Sequence, residues 1–231
     1  MKIEDVHDHA FDASKDVLEE LFISGPGMAD ETNELEYFPI YMLEDFPNLI
    51  YCRLQWTNLK DDTFAHHFDQ LKLPNLEILE IIESELTHVP KFPRLPKLKE
   101  LHFCNHPIAS IAKEAFSDLE SLEWLDLSGS GKNQTLTHLD TDALKLGANN
   151  LTKLDFEYFN SLTSFAPNFI SNISPNLQID FLDDNIVALE ENVFKPILET
   201  LLAGDGFLGL YCITSVTCAL GACKDDCSSL A

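Results

Sequence analysis

The 231-residue chain is poor in positive charge. It carries 15 lysines and arginines against 39 aspartates and glutamates, which gives a formal net charge of −24 at pH 7. Nucleic-acid binding depends on basic side chains that displace counterions from phosphates, and anionic membranes attract proteins through the same side chains. The charge balance therefore excludes a nucleic-acid partner, disfavours a membrane, and favours a protein partner with a basic surface.

The first residues lack an apolar run. Residues 1–16 read MKIEDVHDHAFDASKD, whereas an export signal needs an apolar run of about 7–15 residues. The chain as written thus has no export signal, which leaves an intracellular protein or a secreted one whose original start is missing. The uncharged stretch at residues 206–223 is interpreted as a packed cap or tail, with a membrane-associated tail as the alternative.

Patterns for catalysis are also missing. We find no nucleophile elbow, phosphate loop, zinc-protease helix or calcium loop in the sequence. The sequence therefore predicts no enzymatic activity, no cofactor and no metal site.

Leucine, by contrast, is abundant and periodic. The chain has 36 leucines, and six units follow the pattern L-x-x-L-x-L with any large apolar residue allowed. The units begin at Leu18, Leu49, Leu76, Leu98, Leu122 and Leu151, and an irregular seventh follows at Leu177. A repeat of about 20–29 residues with this strand motif is typical of leucine-rich repeats.

The pattern predicts an α/β leucine-rich-repeat solenoid of about six to seven repeats over residues 18–202. An acidic segment, residues 1–17, precedes it, and a cysteine-rich cap or tail, residues 203–231, follows it. Positions 4 and 6 of each unit share one face of a short strand, so stacked units bury their leucines in columns. We expect a curved parallel sheet on the concave side and short helices and irregular turns on the convex side.

Position 9 of each unit, usually Asn or Cys in this repeat, is irregular here. It is occupied by Pro26, Thr57, Ser84, His106, Ser130 and Phe159. Short polar side chains can partly replace Asn by bonding backbone groups, whereas proline and phenylalanine cannot. The loops are therefore expected to be irregular.

Strand positions 3, 5, 7 and 8 should face outward on the concave side and bear aromatic and acidic residues. Exposed aromatic rings are enriched at binding hot spots. The candidate partner-binding residues are Tyr51, Arg53, Trp56, Glu80, Glu100, Trp124, Asp126, Asp155 and Tyr158. They predict a non-enzymatic module that binds a basic or amphipathic protein; the alternative is that the rings pack on neighbouring side chains or on a terminal cap.

The cysteines and the Asn-x-Ser/Thr triplets bear on the compartment. Four cysteines crowd the last 20 residues, and they are interpreted as a disulfide-tied cap, with zinc binding or reduced thiols as alternatives. These disulfide candidates are Cys212, Cys218, Cys223 and Cys227. Candidate glycosylation sites are Asn133, Asn150 and Asn172, although triplets of this kind also arise by chance.

Two stretches resemble known families. The run from Phe116 to Leu125, F-x-x-L-x-x-L-x-x-L, resembles extracellular leucine-rich-repeat proteins. The segment LQIDFLDDNIVALEENVFKPILE at residues 177–199 is similar to arthropod secreted proteins named after the non-catalytic subunit of Oplophorus-luciferin 2-monooxygenase. This resemblance implies an extracellular, accessory protein. Two alternatives to a secreted protein-binding module therefore remain. One is an accessory subunit of a luciferase-like oxidative complex, and the other is a cytoplasmic leucine-rich-repeat scaffold or regulator.

Overall fold

The computed structural model describes residues 6–7, 9–25, 38, 40–55, 57, 59, 61, 64, 68–129, 135–182, 186 and 188–211. Several predicted features lie outside these residues, namely Trp56, Asn133 and the terminal cysteines Cys212, Cys218, Cys223 and Cys227. Within the described part, no helix is both long enough and apolar enough to span a bilayer.

A parallel sheet of eight strands runs through the molecule. In chain order its strands are β1 (Glu20–Ser24), β2 (Tyr51–Gln55), β3 (Ile78–Ile82), β4 (Glu100–Cys104), β5 (Trp124–Asp126), β6 (Lys153–Asp155), β7 (Gln178–Leu182) and β8 (Phe207–Tyr211). Each strand pairs with the next one in the list, so every repeat adds one strand. This is the sheet of a leucine-rich-repeat solenoid, as the sequence pattern predicts.

The strand register follows the alignment of the repeats. Position 3 of one unit lies opposite position 3 of the next, as in the pairs Tyr51 with Ile78 and Trp124 with Lys153. The sheet continues beyond the sixth unit through β7 and then β8. Strand β8 therefore lies within the segment 203–231 that its composition sets apart from the repeats.

Short elements form the opposite, convex side. Three pairs of two-residue parallel strands link neighbouring repeats: His88–Val89 with Ser110–Ile111, His138–Leu139 with Ser164–Phe165, and Leu144–Lys145 with Ile170–Ser171. Within the described ranges, this side also holds two 3-10 helices, Ile40–Leu43 and Phe68–Gln70, and helix α1, Glu191–Leu201. Single turns closed by N–H···O bonds follow Ala112 and Asp140 on this side.

The buried core consists mainly of leucine and phenylalanine side chains. The leucines at positions 1, 4 and 6 are buried along the sheet, except Leu18 at the start of the first unit, which is half-buried. The convex residues Leu86, Leu136 and Leu139 are also buried. All of the largest fully buried side chains are phenylalanines, and many touch ring to ring, such as Phe92 with Phe116 at 5.7 Å between centroids. Aromatic rings bury a large area each, so they fill the thickness of the solenoid that leucines alone would leave open.

A polar ladder runs through the loops at position 9. Thr57, Ser84 and His106 are all buried, and the hydroxyls of Thr57 and Ser84 lie 3.3 Å apart. The Ser84 N–H donates to His106 Nδ1 (3.1 Å), and His106 Nε2 lies 2.9 Å from the Ile81 carbonyl oxygen, to which it donates. These bonds take the place of an asparagine ladder, while the Phe159 ring stacks on Phe156 at 4.3 Å.

Candidate functional site

The candidate site is the face of the main sheet opposite this core, called the sheet face below. It consists of positions 3, 5 and 7 of each unit, which alternate with buried leucines, so that β2 and β3 both read half-buried, buried, half-buried, buried, half-buried. The alternation of side chains along a strand produces this pattern. The sheet face therefore carries one column of side chains for each of the three positions.

The first cluster on the sheet face joins Tyr51, Arg53 and Glu80. The Tyr51 hydroxyl donates to Glu80 Oε2 at 2.7 Å, and Arg53 Nη1 lies 3.2 Å from the same oxygen. The Phe22 ring meets Tyr51 edge to face at 4.7 Å. Burial and the Glu80 carboxylate raise the pKa of Tyr51, so its hydroxyl keeps the proton that it donates to Glu80.

A second cluster surrounds His102 at the middle of the sheet. His102 Nε2 is 3.5 Å from a Glu100 oxygen, and His102 Nδ1 is 3.5 Å from an Asp126 oxygen. The imidazole also meets the Trp124 ring edge to face at 4.6 Å. Burial by itself would lower the pKa of His102, but the neighbouring carboxylates outweigh it and raise the pKa above its ordinary 6.5.

Trp124 extends this cluster to the next strand. Its indole N–H donates to Asp155 Oδ2 at 2.8 Å, and Lys153 Nζ lies 4.1 Å from its ring centroid. Lys153 Nζ is also 2.7 Å from the same Asp155 oxygen. The ring is therefore held by a hydrogen bond, a cation–π contact and the imidazole of His102.

The last strands carry acidic groups that the chain leaves largely unneutralised. Burial and then the Asp155 carboxylate raise the pKa of both Glu157 and Asp180. Asp180 Oδ1 is buried and accepts no hydrogen bond within the described part of the chain. Gly209 of β8 lies beside Asp180. A Cβ at this position would clash with Asp180 Oδ1 and would lie 2.7 Å from a carbon of the Tyr211 ring.

Exposed rings flank this acidic end. Tyr158, Phe207 and Tyr211 are 38%, 41% and 48% exposed. Tyr158 stands at position 8 with φ of 62°, in the left-handed region that Glu83 and Asn105 also adopt at position 8 of their units. The repeated left-handed turn places this side chain at the edge of the sheet face.

The sheet face is acidic overall. Its described positions hold two permanent cations, Arg53 and Lys153, and one histidine, His102. They also hold seven carboxylates: Glu20, Glu80, Glu100, Asp126, Asp155, Glu157 and Asp180. The chain therefore leaves an excess of negative charge on this face even after its internal ion pairs are counted.

The predicted partner-binding residues thus fall into two clusters and one separate position. Tyr51, Arg53 and Glu80 form the first cluster, and Tyr158 stands apart. The second contains Glu100, Trp124, Asp126 and Asp155. Sequence reasoning did not single out His102 and Lys153, which connect these residues, although both lie in the same aligned columns.

Other candidate chemistry is sparse. Within the described ranges, no group of three or more His, Cys, Asp or Glu side chains could hold a metal ion. Cys52 and Cys104 are buried free thiols, and burial raises the pKa of both, that of Cys52 to about 12. Since the thiolate is the reactive form, neither cysteine is set up as a nucleophile.

Two candidate glycosylation sites lie in the described part. Asn150 is exposed and its amide donates to the Glu120 carbonyl oxygen at 3.1 Å. Asn172 is also exposed, has a φ of 60°, and donates to the Leu146 carbonyl oxygen at 2.9 Å. Both amides therefore already have a partner in the preceding repeat, and glycosylation at either site remains a prediction.

Comparison with known proteins agrees with the repeat pattern. A family model described as "Leucine rich repeat" matches residues 74–134. No curated protein shows a significant match to the chain. Among solved structures, a chain of the Toll–Spatzle complex from Drosophila is 16% identical, with a TM-score of 0.43 and 88% of this chain covered.

A second solved structure, the TLR13–ssRNA13 complex, is 17% identical, with a TM-score of 0.30 and 76% of this chain covered. The present chain spans only 35% and 34% of the lengths of those two solved chains. Taken with the parallel sheet and its register, the family match at residues 74–134 identifies the fold as a leucine-rich-repeat solenoid.

Proposed function

We propose that the chain is a non-enzymatic binding module that recognises a protein with a basic surface through its sheet face. The observation that carries this proposal is the charge imbalance there, seven carboxylates against two permanent cations. A face of one charge sign attracts a partner of the opposite sign and speeds their encounter. The repeat family match supports a binding role, since solenoids present long surfaces for recognition.

The fixed aromatic rings strengthen the proposal. Tyr51 and Trp124 are half-buried, and each ring is held by a hydrogen bond to a carboxylate on the next strand. A side chain that is already ordered loses little entropy when a partner covers it, so its contact area contributes more to affinity. Both rings therefore offer preorganised apolar contact within an acidic surface.

Affinity capture with two matched variants tests the proposal. Glu100→Lys/Tyr158→Asn reverses one charge and removes one exposed ring on the sheet face, and asparagine tolerates the left-handed backbone at position 158. Asp140→Lys/Leu202→Asn makes the same kind of change away from that face, at an exposed acid and an exposed leucine.

We expect the wild type and the Asp140→Lys/Leu202→Asn control to capture the same basic protein from the native source, and the sheet-face variant to lose it. Capture that survives on the sheet-face variant and disappears with the control would place the binding surface elsewhere.

We further propose that the protein is extracellular, which its resemblance to secreted proteins and its terminal cysteines support. Mass spectrometry of the native protein should find glycans on Asn133 or Asn150 and disulfides among Cys212, Cys218, Cys223 and Cys227. Free thiols at these cysteines together with unmodified asparagines would contradict an extracellular location and favour an intracellular scaffold.

A further inference from the structure

We propose that His102 makes binding at the sheet face depend on pH, because its protonated ring is a built-in counter-ion for Glu100 and Asp126. When the proton leaves, both carboxylates become available to a cationic partner. This inference rests on the proposed function, since it concerns the regulation of the same face. The sequence pattern places His102 at position 5 of its unit, on the sheet face, but gives it no role of its own.

The geometry around His102 is that of a shared counter-ion. The two ring nitrogens each lie 3.5 Å from a different carboxylate, one on its own strand and one on β5. Only 12% of the His102 side chain is exposed, against 38% for Glu100 and 19% for Asp126. The imidazole is therefore the most enclosed of the three groups, and a proton on it neutralises charge within the face.

The surrounding elements bring negative charge to the ring from several directions. Strand β3 contributes Glu80, which lies opposite His102 in the register, and β4 itself contributes Glu100 and the protonated thiol of Cys104. Strand β5 contributes Asp126 and the uncharged indole of Trp124.

The permanent cations of the sheet face are engaged elsewhere. Arg53 is bound to Glu80, and Lys153 is bound to Asp155. This leaves the imidazolium of His102 as the positive charge that lies between Glu100 and Asp126.

The direction of the effect follows from these contacts. The carboxylates raise the pKa of His102, and the ion pair with His102, together with the Ser128 N–H, lowers the pKa of Asp126 against the opposing effect of burial. As the pH rises through the His102 pKa, the face loses one positive charge at its centre. Affinity for a basic partner should therefore rise with pH, and fall when the solution is acidified.

An NMR titration of the isolated chain tests the proton itself. The His102 ring signals, identified by their loss in His102→Gln, should titrate with a midpoint above 6.5, the ordinary value. Replacing Asp126 by asparagine should lower that midpoint, because one of the two stabilising carboxylates is removed. A midpoint at or below 6.5, or one that Asp126→Asn leaves unchanged, would overturn the inference.

A binding titration tests the consequence, with a short peptide of alternating lysine and glycine as the probe at low ionic strength. We expect the wild type to bind this peptide about threefold to tenfold more tightly at about pH 8 than at about pH 5.5. His102→Gln should lose most of that difference. His138→Gln, which removes an exposed convex histidine, should keep it.

The two experiments separate this inference from the proposed function. If Glu100→Lys/Tyr158→Asn binds the peptide as well as Asp140→Lys/Leu202→Asn does, the proposed function fails, whatever the His102 midpoint is. If the sheet-face variant binds more weakly but wild type and His102→Gln share one pH profile, the proposed function stands and the His102 inference is wrong.

Discussion

At the scale of single residues, His106 shows how this chain replaces a missing asparagine. Its ring lies in the loop after β4, accepts the Ser84 N–H and donates to the Ile81 carbonyl oxygen. The bond from Ser84 requires an unprotonated Nδ1 and the bond to Ile81 requires a proton on Nε2, so together they require the neutral ring. Because the ring is fully buried, burial lowers the pKa of His106 to about 4, in spite of the backbone bonds that oppose the shift. The loop thus depends on an uncharged histidine.

This dependence predicts an acid sensitivity that one substitution removes. The pKa of His106 in the native protein lies below its ordinary value of 6.5. Below pH 6.5 the unfolded chain therefore binds a proton at this histidine that the native protein does not bind. Stability should fall by up to about 3 kcal/mol between about pH 7 and pH 4 through this group.

Urea unfolding of the wild type and His106→Asn over that pH range measures the effect. The asparagine variant should lose stability less steeply on acidification, whereas the exposed-histidine control His138→Asn should follow the wild type. Equal slopes in all three proteins would mean that folding does not lower the pKa of His106.

At the scale of elements, phenylalanines packed between the main sheet and the convex side join neighbouring repeats, because the short strands alone cannot do so. Phe92 is fully buried and meets Phe68 at 5.1 Å and Phe116 at 5.7 Å between ring centroids. Each of these residues comes from a different repeat, so the rings tie consecutive units to one another. Helix α1 uses the same device, since Phe194 contacts Phe165 at 5.2 Å.

Removing one ring from this stack should therefore be costly. Phe92→Ala is expected to lower the free energy of unfolding by about 3–5 kcal/mol, because it leaves a cavity among packed rings. Phe207→Ala, at a ring that is 41% exposed on β8, is the matched control and should cost less than about 1 kcal/mol. Similar losses in the two variants would show that the phenylalanine stack does not carry the core.

The elements also show where sequence reasoning succeeds and where it stops. The pattern predicts the register, because leucines at positions 1, 4 and 6 must lie in columns. The leucine pattern does not predict strand β8, because the register puts Asp205, a charged residue, at position 1 of its unit.

The repeat pattern also does not predict which side chains of neighbouring columns contact each other. Tyr51 to Glu80 and Trp124 to Asp155 follow the same diagonal, from position 3 to position 5 of the next unit. Alignment shows which side chains stand in a column, but the neighbour toward which a side chain leans depends on packing.

At the scale of the whole molecule, the dominant quantity is the net charge of −24. Much of it lies on surfaces where carboxylates outnumber cations, and like charges at such density repel one another in the folded state. The ion pairs between repeats, such as Lys99 with Glu77 at 2.7 Å, join exposed groups and contribute little each. Self-repulsion therefore opposes folding while the same field attracts a basic partner.

This repulsion predicts that salt stabilises the isolated chain. Raising sodium chloride from about 20 mM to about 500 mM at pH 7 should raise Tm by roughly 2–8 °C, because the Debye length becomes shorter than the spacing of the surface charges. Near the isoelectric point of about 4.4, the same addition should leave Tm almost unchanged. An equal shift at both pH values would show that the salt acts by some route other than screening.

Carboxyl footprinting of the complex with the captured partner locates the binding surface, which we propose to be the sheet face. Glu20, Glu100 and Glu157 lie on the sheet face, while Asp140 and Glu120 are exposed acids away from it. We expect binding of the partner to reduce chemical labelling of Glu20, Glu100 and Glu157 and to leave labelling of Asp140 and Glu120 unchanged. Unchanged labelling at Glu100 and Glu157, with protection at Asp140 and Glu120, would contradict it.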